Sequence, residues 1–210
     1  MSLNPECEWP EDPRLWLCNS CTTDLAESLL PVLTNNTQPK NHDMIYPTIG
    51  LFGTCGNSRW REPFIQDYKT RGIQFFNPQV DNWTPKNAEL EAKHLANDEI
   101  ILFPITSETY GGGSLAEVSV AALNTVKFNQ NRAVVVLIDT NIDEALKAEP
   151  TAANESLRAR ALMREHIKNL NLANVYFVET FTEMLEVSIQ LHEVATVLAK
   201  LRTYSTAKND

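Results

Sequence analysis

Nothing in this chain approaches the roughly 18 consecutive apolar residues that a membrane-spanning helix needs, so no membrane partner is expected. Positive charge is also in short supply. Eighteen Lys and Arg face 27 Asp and Glu, a net charge of −9, which argues against a nucleic acid or an anionic membrane as the main partner. Cysteine is limited to Cys7, Cys18, Cys21 and Cys55. The pair in CNSC has the spacing of half a zinc site, but no second CxxC or CxH accompanies it, so no metal is expected. His42, His94, His166 and His192 show no HExxH spacing. There is no GK[ST] and no complete GxGxxG, which disfavours ATP and dinucleotide chemistry. The first residues, MSLNPECEWPEDPRL, lack the basic and apolar regions of a signal peptide. A cytoplasmic location, with the cysteines as reduced thiols, is the expectation.

Glycine is scarce too, and its distribution is informative. Of seven glycines, Gly50, Gly53 and Gly56 flank the end of one strand-like run, and Gly111, Gly112 and Gly113 follow another. A glycine costs chain entropy and is useful where backbone must approach something closely or take a positive φ. Two such loops at strand exits suggest a small-molecule site between them.

Residues 1 to 43 read as an N-terminal extension. It is irregular to Leu17, carries Trp9 and Trp16, has a short helix around Thr23 to Leu33, and ends in the polar stretch Thr34 to Asp43. From residue 44 to residue 210 the pattern is regular. Strands are expected at Tyr46–Phe52, Ile73–Phe76, Glu99–Ile105, Ala133–Ile138 and Val175–Val178. Helices are expected at Arg61–Arg71, Pro85–Ala96, Ser114–Asn129, Glu155–Asn169 and Thr182–Leu201. AVVVLI is continuously apolar, as a parallel strand buried on both faces requires. Alternating strands and helices mean βαβ units. With right-handed crossovers, five strands favour a flavodoxin-like three-layer α/β sandwich with a parallel sheet of order 2-1-3-4-5. Its switch point lies between strands 1 and 3, the two that the glycine loops leave.

Three segments carry chemistry. In SLAE, Ser114 and Glu117 fit a capping box, but a cap needs no preceding glycine loop, whereas a ligand approaching backbone amides does. A carboxylate beside a helix N-terminus is favoured in its ionised form, as a nucleophile requires, so Glu117 is the catalytic candidate. In GTCGNSRW, free amides after strand 1 suit a phosphate or sugar hydroxyls; the plain alternative is a βα turn, with Cys55 a small core residue. Arg59, Arg61 and Arg71 form a possible local basic patch. In FFNPQVDNW, Trp83 either stacks on a base or seals the core edge. On the following helix Glu89 and Glu91 point about 200° apart, so only one of them can face a site.

At GTCGNSRWR, FNPQVDNW and GGGSLAEV the chain resembles the nucleoside 2-deoxyribosyltransferase-like family, over roughly Pro47 to Leu123. The resemblance implies a flavodoxin-like fold and a glutamate nucleophile on the helix after strand 3, which Glu117 matches. It implies sugar or phosphate contacts from Gly53, Thr54, Gly56, Asn57, Ser58 and Arg59, with Asn77, Trp83, Gly111, Gly112, Gly113 and Ser114 completing the substrate site. Two departures stand out. The family's aspartate six residues before the nucleophile is Gly111 here, and a second aspartate falls near Leu90, where Glu91 is the expected substitute. The C-terminal residues by which a neighbouring subunit completes each site in those transferases have no match.

The expected activity is therefore cleavage or exchange of the N-glycosidic bond of a nucleoside or its 5′-monophosphate, in a homo-oligomer with no cofactor. Glu117 attacks, and Glu91 or Tyr110 protonates the leaving base. The alternatives are a non-catalytic nucleotide-binding or sensing module, or a phosphoribohydrolase of the cytokinin-activating type, although that enzyme's PGGxGTxxE is not matched.

Overall fold

The computed structural model describes residues 47–82, 84–128, 132–202 and 204. The expected extension over residues 1–43, with Cys7, Cys18 and Cys21, lies outside the described residues, as do Tyr46 and Trp83.

Five strands, β1 (Thr48–Leu51), β2 (Gln74–Phe76), β3 (Ile100–Ile105), β4 (Ala133–Ile138) and β5 (Val175–Phe177), form one sheet. All its pairings are parallel, in the order β2-β1-β3-β4-β5. The crossovers are α1 (Arg61–Arg71), α2 (Pro85–Asn97), α3 (Gly112–Phe128) and α4 (Pro150–Asn169), and α5 (Phe181–Arg202) closes the described fold. This is the flavodoxin-like α/β arrangement expected from the strand and helix pattern.

Side-chain alternation along the central strands builds the core on both faces. Ile49, Leu51, Ile100, Leu102, Val135 and Leu137 point one way, against Phe64 and Tyr68 of α1 and Met184 of α5. Ile101, Phe103, Ile105, Val134, Val136 and Ile138 point the other way, against Leu115, Val118 and Ala121 of α3 and Ile167 of α4. Each fully buried side chain of this kind contributes about 1.5–3 kcal/mol relative to exposure. β3 and β4 are buried along their whole length, which is why they lack polar residues.

Helix boundaries follow local chemistry. Gly72 takes φ 70° and ends α1, the left-handed C-terminal stop that glycine allows. Pro85 and Pro150 open α2 and α4 at their first turns, where a missing N–H costs nothing. Most boundaries fall within a residue of expectation, and three differences stand out. α4 begins at Pro150 rather than Glu155, preceded by a 3₁₀ turn at Glu144–Ala148. β1 is shorter, beginning after Pro47 and ending before Phe52, although the Phe52 N–H still donates to the Leu102 carbonyl at 3.0 Å. α3 begins at Gly112, so two of the three glycines form its first turn.

Candidate functional site

Both glycine loops leave the C-terminal edge of the sheet at adjacent strands, β1 and β3. Each is moulded on a buried arginine. Under the first loop, Arg61 is 2% exposed. It donates to the carbonyls of Leu51 at 2.9 Å, Thr54 at 2.7 Å and Phe52 at 3.3 Å. Under the second, Arg160 is fully buried and donates to the carbonyls of Ile105 (3.0 Å), Thr106 (2.8 Å), Thr109 (2.6 Å) and Asp139 (3.2 Å). A guanidinium is suited to this task because it presents five donors in a rigid fork.

The glycines fit against these frames. Gly53 has φ 87°, and a Cβ there would stand 2.3 Å from the Pro104 carbonyl oxygen and 2.9 Å from the Pro104 nitrogen. Pro104 has no N–H to satisfy on that side, so a residue without a side chain lies against one without a donor. Gly111 has φ 70°, and its Cβ would meet Ile105 at 2.8 Å and Arg160 at 3.3 Å. The Gly111 carbonyl accepts the Leu115 N–H at 2.8 Å, the first helical bond of α3.

Between the loops lies an open cleft of about 210 Å³. It is lined by Phe52, Gly53 and Cys55 from the first loop, Pro78 after β2, Glu91 from α2, and Gly113, Ser114 and Glu117 from α3. Glu91 and Glu117 thus reach one space from two helices. The surface of Glu117 is open to solvent, yet the cleft walls displace enough water to raise its pKa, and the charge of Glu91 raises it further. The helix N-terminus was expected to favour the ionised form. Glu117 is the sixth residue of α3, beyond the first turn over which a helix dipole acts, so desolvation prevails.

Of the residues picked out in the sequence, the cleft gathers Gly53, Glu91, Gly113, Ser114 and Glu117. Glu89 is exposed elsewhere on α2 and does not line it. The capping box at Ser114 and Glu117 does not mark the helix start, because α3 begins two residues earlier. Several other candidates are committed to the framework. Thr54 is 1% exposed, and its hydroxyl accepts the Thr106 N–H at 2.9 Å. Ser58 is buried and donates to Glu108. Asn77 accepts the Gln79 N–H at 3.1 Å, and the Gly56 carbonyl accepts from Gln79 at 2.8 Å. Tyr110 donates its hydroxyl to the Leu146 carbonyl at 2.8 Å and does not line the cleft. Gly111 is buried behind the loop, while Gly112 and Asn57 are exposed outside the lining.

The basic patch is not one either. Arg61 is buried, exposed Arg59 pairs with Glu62 at 2.6 Å, and Arg71 pairs with Asp67 at 2.7 Å. Cys55 is also corrected. It is exposed, not core, and its sulfur accepts from Arg61 at 3.4 Å while donating to the Gly53 carbonyl at 3.4 Å. Phe52 and Pro78 were missed; they carry no chemistry in the sequence, and only the loop path brings them to the lining. Among the described residues no group of three or more His, Cys, Asp and Glu side chains is arranged to hold a metal, and no helix is long and apolar enough to cross a membrane. Comparison with protein-family models and with curated proteins finds no match to this chain.

Proposed function

We propose that this cleft cleaves or exchanges the N-glycosidic bond of a nucleoside or nucleoside 5′-monophosphate. The observation that carries the reading is the meeting of Glu117 and Glu91 in one cleft at the switch point of a parallel sheet, where open α/β sheets bind their ligands. The Glu117 carboxylate attacks C1′. The C1′–N bond breaks, its electron pair goes to the base nitrogen, and Glu91 passes that nitrogen a proton so that the base leaves neutral. The resulting glycosyl ester is resolved when water or a second base attacks C1′ and releases Glu117. Two displacements retain configuration at C1′.

A cytoplasmic homo-oligomer belongs to the same reading. Val194, Val197 and Leu201, exposed on one side of α5, support self-association, which sedimentation would measure directly. The test of the activity is base release, followed by chromatography, from a panel of nucleosides and 5′-monophosphates with the native chain and Glu117→Gln. Release that depends on Glu117 is expected. Saturable binding without release would instead favour a sensing module.

A further inference from the structure

The second loop, Thr106–Gly111, is held on two sides by groups that belong to its own half of the sheet. Arg160 holds it from below, as described. On the β4 side, Asp139 accepts the Ser107 N–H at 2.7 Å, and Ser107 donates its hydroxyl to Asp143. Towards the first loop the connection is different. One carboxylate oxygen of Glu108 accepts two hydroxyls, Ser58 from the first loop and Thr106 from its own loop at 3.0 Å. The Thr106 N–H then returns to the Thr54 hydroxyl at 2.9 Å. Ser58 is 4% exposed, so its hydroxyl has little water to turn to if Glu108 is removed. A hydroxyl bond to a carboxylate is stronger than a neutral bond between the loops would be.

We propose that Glu108 is a positioning residue: bonded to Ser58 and Thr106, it clasps the two loops together and sets the width of the cleft between Gly53 and Glu117. It touches no reacting atom and does not line the cleft. Its effect on turnover rests on the glycosidic reading, but its effect on the loops does not.

The test uses Glu108→Ala, Glu108→Gln and Ser58→Ala in the full chain. Amide hydrogen exchange is followed in the first loop (53–58) and in the stretch 106–115. In Glu108→Ala exchange is expected to quicken in both stretches together, with β3 and β4 unchanged. Glu108→Gln, which keeps an acceptor of the same reach, restores most of the protection. Ser58→Ala reproduces the effect, and the double variant adds little to either single one. If base release is found, Glu108→Ala lowers kcat by roughly ten- to a hundredfold with KM nearly unchanged, as small misplacement of reacting groups does. Unchanged exchange in the first loop, or fully additive variants, would overturn the clasp. If the native chain releases no base, the glycosidic reading fails while the exchange data still decide the clasp.

Discussion

Glu91 and Glu117 come from different helices to the same cleft, and the charge of one raises the pKa of the other. Neighbouring carboxylates on a solvated surface would be unremarked. Inside a cleft at the end of a parallel sheet, burial and the neighbouring charge together make Glu117 ionise more reluctantly than a free glutamate.

Glu117→Gln is expected to lower base release by on the order of a thousandfold or more, because an amide cannot form the glycosyl ester. The side chain is open to solvent, so stability should change by no more than about 0.5 kcal/mol. Activity and a thermal melt on the same preparation check both halves. Turnover surviving in a folded variant removes Glu117 from the mechanism.

The pH profile follows from the direction of the Glu117 shift. Burial first, and Glu91 second, raise its pKa, so this carboxyl ionises at a higher pH than a free glutamate. The rate should therefore rise with pH above the ordinary glutamate range. In Glu91→Gln one negative charge is gone, the Glu117 pKa falls, and the rising limb moves to lower pH. kcat falls as well, because the route that hands the base its proton is lost. A rising limb that stays in place in this variant shows that the two groups do not interact.

Two glycine substitutions in the same loop should differ sharply. At Gly53 an alanine has both φ 87° and a contact of 2.3 Å with the Pro104 carbonyl oxygen, and about 3 kcal/mol of stability should be lost. At Gly56, with φ 76° and nothing within 4 Å, only the conformational cost of roughly 1–2 kcal/mol applies. Urea titrations rank the pair, and equal losses would mean that the Gly53–Pro104 fit is looser than it looks.

Asp98, just before β3, is 5% exposed, bonded to His94 at 2.8 Å, and has a second carboxylate oxygen with no partner. Burial raises its pKa to about 6 from an ordinary 3.8. The folded state thus holds a proton that the unfolded chain has already lost. The stability this gives is full below about pH 4 and is lost as pH rises through about 6. Asp98→Asn removes that dependence. At pH 8 the variant should be more stable than the native chain by about 1–3 kcal/mol, the gap closing at pH 4. Denaturant titrations at the two pH values give the comparison, and a native chain that is the more stable at pH 8 refutes it.

The fold was legible because β3 and β4 are apolar without interruption and each crossover is bounded by a glycine or proline. Glu117 was legible from the glycine run before it, whereas helical spacing left Glu89 and Glu91 open and only the family resemblance pointed to Glu91. Arg61 and Arg160 were not. A sequence shows a positive charge, but the carbonyls that absorb it are written in no side chain, so Arg61 read as part of a basic patch and Arg160 as nothing in particular. Cys55 misled in the opposite sense, since a small sulfur suits a core, and only the path of the loop turns it outward. Pro150 was a plain start signal for α4, passed over in favour of the polar residues after it.

The two buried arginines grip the loops by main-chain oxygens, which every amino acid possesses. The grip of the arginines is therefore indifferent to which side chains the loops display, and the clasp at Glu108 is the part that depends on them. An exposed position such as Asn57 is open to exchange without loosening that grip. A scaffold of this kind can change the chemistry displayed at its rim while its backbone stays where it is.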